Sequence, residues 1–286
     1  MKKQLKIIFF GTDDFSVAVL NELYETNIQP TFIITAPDAP KGRGLLRTAP
    51  PVKVWAKEKD IDIVQPESLK DSHFIEKLKN TEWDLFLVAS YGHIIPKDIL
   101  DIPKHGALNV HPSLLPKFRG ASPIQSAILA DEQETGVSIM LMDEKMDHGP
   151  IVAQASITPE PWPPKANVLK ALLAHEGGKL LTEVIPEWVR GAITPEPQDE
   201  SKATYSKKIA KEDGEIDLAG DSYQNFLKIR ALAENPGAYF FTTRNGKSIR
   251  VKITEAEYTN GSLVIVRVIP EGKKEIRWTD YAKRFQ

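Results

Sequence analysis

A strand-like run ends in two polar residues within the segment ALNVHPSLLPKFRGASPIQ, residues 107–125. Asn109 and His111 lie two positions apart, so both side chains point to the same side of that strand. An amide N–H can stabilise a developing oxyanion, and an imidazole titrates near neutrality and can exchange protons. The pair therefore predicts a catalytic site at the end of the strand, beside the rigid, proline-rich loop that follows.

A carboxylate that could orient the imidazole is predicted in a second segment, DEKMDHGPIVAQ, residues 143–154. This segment follows the strand-like run VSIMLM and contains three acids, Asp143, Glu144 and Asp147. Spacing alone does not choose between them as the partner of His111. An ordinary acidic surface loop is the alternative interpretation of the same residues.

Two other kinds of site receive little support from the pattern. A zinc site built from His111, Asp147 and His148 lacks the HxxxH or HExxH spacing of such sites. Ser90 and Ser113 lie outside any GxSxG-type elbow, which argues against a serine nucleophile. The chain has no cysteine, which excludes disulfides, thiolate zinc ligands and a cysteine nucleophile. No metal is expected.

The elements that must position these residues follow from the apolar periodicity of the first half of the chain. Continuous apolar runs are typical of strands covered on both faces, as in a parallel sheet. They lie at residues 5–10, 31–35, 62–64, 85–90, 107–111, 137–142 and 151–157. Helical periodicity between them predicts helices near residues 14–24, 52–58, 68–78 and 123–130. This alternation predicts a doubly wound α/β domain with a mostly parallel sheet, whose sites form beyond the carboxyl ends of the strands.

The first turn of that domain does not predict a dinucleotide site. Gly11 opens the turn GTDDFS, but the phosphate-binding fingerprint needs three glycines and this turn has one. Asp13 and Asp14 would also repel a pyrophosphate. Dinucleotide binding is therefore not expected.

The last third of the chain has a different pattern. A helix near residues 165–185 precedes a polar, proline-rich stretch, which predicts a linker over residues 189–207. That linker would join a catalytic domain, residues 1–188, to a second domain, residues 208–286. The second domain is predicted to hold a helix near 222–232 and strands near 237–243, 248–258, 262–269 and 274–278, with a hairpin signal at Asn245-Gly246. A small OB-like β-barrel is expected there.

Charge and hydropathy limit the kinds of binding partner and the cellular location that can be expected for this chain. No apolar run approaches the roughly 20 residues of a membrane span, and the run at residues 5–10 is too short for a signal peptide. A cytoplasmic protein without a membrane partner is expected.

The formal net charge is −2, yet residues 244–286 carry ten Lys and Arg against five Asp and Glu. This basic segment predicts an anionic partner, with a solvated surface as the alternative.

The two segments with candidate catalytic residues resemble the formyltransferases that use 10-formyltetrahydrofolate, a family that includes methionyl-tRNA, glycinamide ribonucleotide and sugar N-formyltransferases. The match lies in NVHPSLLPKFRGASPIQ and ETGVSIMLMDEKMDHGPI. The resemblance implies that Asn109, His111 and Asp147 form the catalytic trio. It also implies that the donor, 10-formyltetrahydrofolate, contacts Tyr91, Ile94, Ile95, Pro96, Ser113, Leu114, Leu115 and Pro116. Plain core packing is the alternative for the two leucines.

Other segments resemble the methionyl-tRNA branch of that family. IIFFGTDDFS, TAPDAPKGRG and, most specifically, ATYSKKIAKEDGEIDL (residues 203–218) carry this match, so the resemblance covers nearly the whole chain. It implies transfer of the formyl group to the amine of methionyl initiator tRNA, for translation initiation, by an enzyme expected to be a monomer. The substrate-binding residues that it implies are Gly11, Asp14, Phe15, Arg43 and Arg47.

The sequence departs from the family pattern in three places. Leu45-Leu46 follow GRG where basic residues are usual, and residues 234–238 lack a usual Trp. After residues 252–263 the chain passes almost directly to VIPEGKK, which indicates an internally shortened barrel. A sugar N-formyltransferase acting on a nucleotide-linked aminosugar is therefore the main alternative. A non-catalytic tRNA- or folate-binding protein is another, although it would have no need for the whole trio.

Overall fold

A computed structural model describes residues 4–41, 46–244 and 246–283. The chain divides into two compact units, each assembled from three separate stretches. Unit 1 comprises Met1–Arg119, Gly136–Ser156 and Ala171–Tyr205. Unit 2 comprises Gly120–Thr135, Ile157–Lys170 and Ser206–Gln286.

The described residues contain fifteen strands and eight α-helices. The strands are β1 (Ile7–Gly11), β2 (Phe32–Ile34), β3 (Ala39–Lys41), β4 (Leu46–Thr48), β5 (Ile63–Val64), β6 (Leu85–Ala89), β7 (Ala107–His111), β8 (Arg119–Gly120), β9 (Thr135–Leu141), β10 (Ile151–Ile157), β11 (Tyr205–Ser206), β12 (Tyr239–Arg244), β13 (Lys247–Thr259), β14 (Ser262–Pro270) and β15 (Ile276–Arg277). The helices are α1 (Asp14–Glu25), α2 (Pro51–Glu58), α3 (Ser72–Lys79), α4 (Lys97–Leu100), α5 (Pro123–Leu129), α6 (Ala166–Val189), α7 (Ser222–Ala231) and α8 (Trp278–Ala282). Within the described part of the chain, no helix is both long and apolar enough to cross a membrane.

The central sheet has seven strands in the order β10-β9-β7-β6-β1-β2-β5. Parallel pairing joins β5, β2, β1, β6 and β7 in turn, whereas β7 pairs with β9 in the antiparallel sense. The strands β1, β6 and β7 are buried along their whole length, which is why β1 and β6 are continuous apolar runs and β7 is apolar except for Asn109 and His111. The predicted α/β class with a mostly parallel sheet is confirmed.

Helix α1 shows how the local sequence attaches an element to this sheet. The carboxylate of Asp13 accepts hydrogen bonds from the backbone N–H groups of Phe15, at 3.1 Å, and Ser16, at 3.3 Å. Asp13 is therefore the N-cap of α1. The hydroxyl of Ser16 donates to the carbonyl of Ala89 at 2.6 Å, which ties the start of α1 to the end of β6.

A short hairpin that the sequence pattern did not predict lies between β2 and α2. Strands β3 and β4 pair antiparallel, with Ala39 opposite Thr48. Next to the hairpin, the carboxylate of Asp38 accepts from Lys53 Nζ at 2.7 and 2.9 Å and from Gln65 Nε2 at 2.8 Å. The hydrogen bond from Lys53 is the main reason why the pKa of Asp38 lies below its ordinary value. This cluster fixes the point at which the hairpin leaves the sheet.

Unit 2 is built around a four-stranded antiparallel sheet in the order β12-β13-β14-β15. Helices α7 and α8 pack on it, and the buried core between them contains Phe226, Ile229, Phe240, Val251, Ile253, Val268 and Tyr281. The strands on either side of the predicted hairpin signal pair as predicted, although Asn245 itself lies outside the described residues. The predicted small β-domain thus consists of this sheet, with β12 and β15 at its edges.

Two predicted boundaries were wrong for identifiable reasons. The strand predicted at 274–278 is cut to two residues because Trp278 begins α8. Its indole ring lies edge-on to Phe240, with ring centroids 5.9 Å apart, so aromatic packing decides its conformation. Helix α3 begins at Ser72 and not near residue 68, because the carboxylate of Asp71 caps it.

Replacing Gly136 with alanine should destabilise the fold beside β7. A Cβ at this position would lie 2.1 Å from the carbonyl oxygen of Ala155 and 2.6 Å from Cδ2 of Leu114. Overpacking of this kind costs about 1–3 kcal/mol, which urea denaturation would measure. Gly191→Ala is the control, because no atom lies within 4 Å and only its positive φ of +72° opposes the change. A Gly136→Ala protein as stable as the wild type would contradict the packing seen here.

Candidate active site

The strand β7 ends in the two polar residues singled out by the sequence. Asn109 and His111 are buried, at 9% and 4% exposure. Asn109 lies opposite Val88 on β6 and Met140 on β9, and His111 lies opposite Ser138 on β9. The pleat of this strand places both side chains on one face, and pairing on both sides limits their movement.

The two ring nitrogens of the His111 imidazole face different oxygen atoms. Its Nε2 lies 3.1 Å from the carbonyl oxygen of Phe118. Since a carbonyl oxygen can only accept, Nε2 carries a hydrogen and donates it. The other nitrogen, Nδ1, faces the Oδ1 atom of Asp147 at 3.6 Å. At this distance the carboxylate is close enough for an electrostatic interaction with the ring but not for a direct hydrogen bond.

The three acids of the second segment occupy different surroundings. Asp147 lies beside His111, and its side chain is only 17% exposed. Asp143 instead accepts a hydrogen bond from Nδ1 of His148 at 2.6 Å, and Glu144 is exposed. The backbone of Asp147 has a φ of +49°, a conformation that tertiary contacts must maintain. The geometry thus brings one of the three acids to the imidazole.

Ser138 fixes the loop that follows β7, and its role was missed because it lies inside an apolar run. Its hydroxyl accepts from the N–H of Leu115 at 3.0 Å and donates to the carbonyl of Ser113 at 2.7 Å. Gln154 on β10 donates to the same hydroxyl at 2.7 Å and to the carbonyl of Leu115 at 2.9 Å. The loop is therefore anchored through its backbone to two neighbouring strands.

The predicted folate-binding residues differ in exposure. Tyr91, Ile95, Ser113 and Leu115 are buried, Pro96, Leu114 and Pro116 are half-buried, and Ile94 is 87% exposed. Burial raises the pKa of Tyr91 to about 12, so its hydroxyl stays protonated at neutral pH. Core packing, the alternative interpretation of the leucines, describes the side chain of Leu115. Folate binding by these residues stays a prediction.

The predicted substrate-binding residues also differ in their exposure to solvent. Gly11 and Phe15 are buried, whereas Asp14 and Arg47 are exposed. An Nη atom of Arg47 donates to the carbonyl of Asp38 at 3.3 Å. Arg43 lies outside the described residues. The role of each of these residues stays a prediction.

A buried arginine is the main feature that sequence reasoning missed. Arg119 has no exposed surface. Its Nη1 and Nη2 donate to the carboxylate of Glu200 at 3.1 and 2.7 Å, and its Nε and Nη2 donate to Oε1 of Gln198 at 2.9 and 2.8 Å. The ion pair raises the pKa of Arg119 and lowers that of Glu200. The only sequence signal was the polar run QDES, which is equally typical of a linker.

The stretch predicted as a linker is attached to unit 1 by backbone hydrogen bonds as well. The N–H of Thr204 donates to the carbonyl of Pro116 at 3.1 Å, and its carbonyl accepts from the N–H of Arg119 at 2.9 Å. Its hydroxyl oxygen accepts from the N–H of Phe118 at 2.8 Å. The backbone groups of Glu196 and Ile151 exchange two further bonds at 2.8 Å. Residues 196–204 thus form one wall of the site.

His148 links the turn after Asp147 to the same wall. Its Nδ1 pairs with Asp143, and its Nε2 lies 3.5 Å from Oε1 of Glu200. The imidazole of His148 therefore has a carboxylate on each side, Asp143 at Nδ1 and Glu200 at Nε2. Over the described ranges, no group of three or more His, Asp or Glu side chains is arranged to hold a metal ion.

Comparison with known proteins places this geometry in a family. The model of the formyl transferase family matches residues 5–185, and the model of the formyl transferase C-terminal domain matches residues 208–262. The chain belongs to the formyl transferase family. The resemblance inferred from the two catalytic segments is therefore confirmed.

The chain is similar over nearly its whole length to curated methionyl-tRNA formyltransferases from bacteria. The methionyl-tRNA formyltransferase of Dictyoglomus thermophilum is 39% identical over 306 residues, covering 99% of this chain and 97% of the relative. That of Bacillus velezensis is 36% identical over 301 residues, covering 97% and 94%. Because the first alignment has 306 positions and this chain has 286 residues, at least 20 of those positions are gaps in this chain.

Solved structures of formyltransferases share the fold. The crystal structure of the N-formyltransferase from Helicobacter canadensis, in complex with folinic acid and dTDP-3-aminofucose, has a TM-score of 0.66. Its sequence is 19% identical, and the match covers 90% of this chain and 88% of that one. At this identity the likeness concerns the fold alone.

Lowering the pH should weaken the attachment of residues 196–204 to the rest of unit 1, because part of this attachment is the ion pair between Glu200 and Arg119. The hydrogen bond from Arg119 holds the pKa of Glu200 below its ordinary value of about 4.3. The ionised carboxylate therefore stabilises the folded chain above that pH, and this stability is lost as the pH falls through the lowered value. In urea unfolding across this window, Glu200→Gln should lose stability less steeply than the wild type. The exposed Glu67→Gln should follow the wild type, and equal slopes for all three proteins would refute the role of Glu200.

Proposed function

We propose that this formyltransferase transfers the formyl group of 10-formyltetrahydrofolate to the free amine of methionyl initiator tRNA. The observation that carries the proposal is a buried amide, Asn109, on the same strand end as His111, whose imidazole faces the carboxylate of Asp147 from another loop. The names of the full-length relatives in Dictyoglomus thermophilum and Bacillus velezensis support the acceptor. The folinic acid in the Helicobacter canadensis complex supports a folate donor.

Asn109 is the proposed donor to the charge that develops during the reaction. A neutral amine attacks the formyl carbon, and negative charge builds up on the formyl oxygen. When this intermediate collapses, the bond between the formyl carbon and N10 of the folate breaks, and N10 leaves with the proton that the amine gave up, so that tetrahydrofolate is released. The side chain of Asn109 forms no hydrogen bond within the described residues, so its NH2 group is available to that oxygen. One such donor, held in place before the reaction, contributes about 3 kcal/mol. Its burial strengthens the interaction because water does not compete.

His111 and Asp147 are proposed to take up the proton that the attacking amine loses. The Nε2 hydrogen of His111 is committed to the carbonyl of Phe118, so the exchangeable position is at Nδ1, which faces Asp147. The carboxylate keeps the ring in this orientation and receives the proton directly or through a water molecule. A formyl group on an electron-poor nitrogen is already activated, so we propose no metal in this step.

The loop after β7 fits a planar substrate with polar edges. Leu114 and Pro116 are half-buried and Ile94 is exposed, which leaves apolar surface for a ring system. The hydrogen bonds from Ser138 and Gln154 fix the loop in advance, so less conformational entropy is lost when the substrate binds. These side chains would hold the folate while the residues of β7 act on its formyl group.

Residues 208–286 are proposed as the tRNA-binding part, with residues 1–188 carrying the chemistry. On the sheet of unit 2, Phe241 is 51% exposed and lies opposite Arg250. An exposed aromatic ring beside a cation can stack on a nucleobase and contact a phosphate. The excess of basic residues in 244–286 has the sign that a phosphate backbone requires.

A sugar N-formyltransferase is the second candidate, favoured by one specific observation. The second unit has only four C-terminal strands, and the chain lacks at least 20 positions present in its alignment with the Dictyoglomus thermophilum enzyme. A smaller unit gives less surface for a nucleic acid. The same catalytic groups would serve an aminosugar equally well, because the attacking atom is again a neutral amine.

Substitution of the trio should separate catalysis from folding. Asn109→Ala and Asp147→Ala should each lower turnover by more than about 100-fold, because each removes a group that acts on the reacting atoms. Glu144→Ala is the matched control, since this acid lies in the same loop and is exposed. Formyl transfer would be measured at saturating substrates, with circular dichroism to verify folding. Turnover near that of the control in either variant would contradict the assignment.

The acceptor should be settled by offering both candidates to the purified full-length chain. With 10-formyltetrahydrofolate as donor, charged initiator tRNA should be formylated and nucleotide-linked aminosugars should not. The KM for tRNA should rise steeply with salt, because phosphate contacts release counterions, while kcat should change little. Uncharged tRNA is the control for acceptor chemistry. Formylation of the sugars alone would replace the tRNA proposal with the second candidate.

A further inference from the structure

We infer that Gln198 is a positioning residue that keeps Asp147 in place beside His111. It lies in the stretch whose sequence is typical of a linker, far along the chain from both. The inference rests on the proposed function, because it assigns Gln198 a task only if Asp147 takes part in the reaction. The evidence for this inference is the set of hydrogen bonds that the side-chain amide of Gln198 forms.

The NH2 group of Gln198 holds the turn that contains Asp147. Its Nε2 donates to the carbonyl of Asp147 at 2.9 Å and to the carbonyl of Gly149 at 2.7 Å. These two carbonyls lie on either side of His148, so one amide fixes the direction of the chain on both sides of that residue. The support matters because Asp147 has a φ of +49°, which a non-glycine residue adopts at a cost.

The other end of the same amide is fixed by Arg119. Oε1 of Gln198 accepts from Nε at 2.9 Å and from Nη2 at 2.8 Å, so both of its lone pairs are used. The preceding residue, Phe118, supplies the carbonyl to which His111 donates. A continuous path of bonded groups therefore runs from His111 through Phe118, Arg119 and Gln198 to Asp147.

The polarity of this amide is set by its partners. Arg119 can only donate, so the oxygen of Gln198 must face it, and the NH2 group must face the two carbonyls. A glutamate at this position would keep the bonds to Arg119. Its second oxygen would then face two carbonyl oxygens, with no hydrogen between them. Gln198→Glu thus removes the support of Asp147 while leaving the buried guanidinium with its acceptors.

The contribution of Gln198 should appear in turnover and not in substrate binding. We expect Gln198→Glu to lower kcat by about 10- to 100-fold, because a small misplacement of a reacting group has effects of this size. The KM values for both substrates should stay within about threefold of the wild type. Gln198→Met provides a second variant that removes every hydrogen bond of the amide without adding charge, and its kcat should fall by a similar factor.

A structural control separates positioning from general loss of stability. Trp188→Phe removes the hydrogen bond from its indole Nε1 to the carbonyl of His105, also a side chain to backbone bond within unit 1. It should lower the melting temperature and leave kcat unchanged. If Trp188→Phe lowers kcat as much as Gln198→Glu at a comparable loss of melting temperature, the positioning role is wrong.

A double-mutant cycle tests whether Gln198 acts through Asp147. Asp147→Asn should itself lower kcat strongly, and adding Gln198→Glu to it should lower kcat by less than about threefold further. Independent, multiplicative effects would overturn the inference while leaving the proposed function intact. Normal turnover in Asp147→Asn would instead refute the proposed role of Asp147, and the inference with it.

Discussion

A guanidinium group without exposure to solvent is the constraint on which the site depends. Arg119 remains charged, and a buried charge without partners costs several kcal/mol. Its acceptors, Gln198 and Glu200, lie 79 and 81 residues further along the chain. Packing of that distant segment against the loop after β7 therefore stabilises unit 1. The same requirement places the amide of Gln198 beside the turn of Asp147.

Burying polar groups inside an apolar sheet also determines how rigid the site is. His111, Ser138 and Gln154 each bond to a backbone group of the loop or to one another, and these bonds limit the alternatives open to the loop. A satisfied polar network in a low-dielectric interior favours one arrangement strongly, because any other leaves an unpaired group. The loop after β7 is therefore held in one arrangement beside Asn109, whose own position follows from the pairing of β7 with β6 and β9.

Local sequence patterns predicted the elements well and the long-range partners poorly. Continuous apolar runs identified β1 and β6 because strands covered on both faces have few polar positions to interrupt them. β7 was identified by its apolar residues, between which Asn109 and His111 are the polar exceptions. The spacing of Asn109 and His111 placed both on one face for the same geometric reason. By contrast, Ser138 could not be recognised within VSIMLM, since its partners are backbone atoms of another segment. The hydrogen bonds between Arg119 and Gln198 could not be predicted either, because residues 79 positions apart in the chain share no sequence periodicity.

The division of labour between chemistry and acceptor binding explains why a reduced second unit is compatible with the activity. Asn109, His111, Asp147 and the residues that hold them all belong to unit 1. The action on a formyl group that we propose for these residues requires only a neutral amine, whatever molecule carries it. Phosphate contacts contribute affinity that depends on salt and are equal in the ground and transition states, so losing some of them raises KM without altering the chemical step. In the proposed division of tasks, a smaller second unit therefore changes how tightly an acceptor is held and leaves the transfer step unaffected.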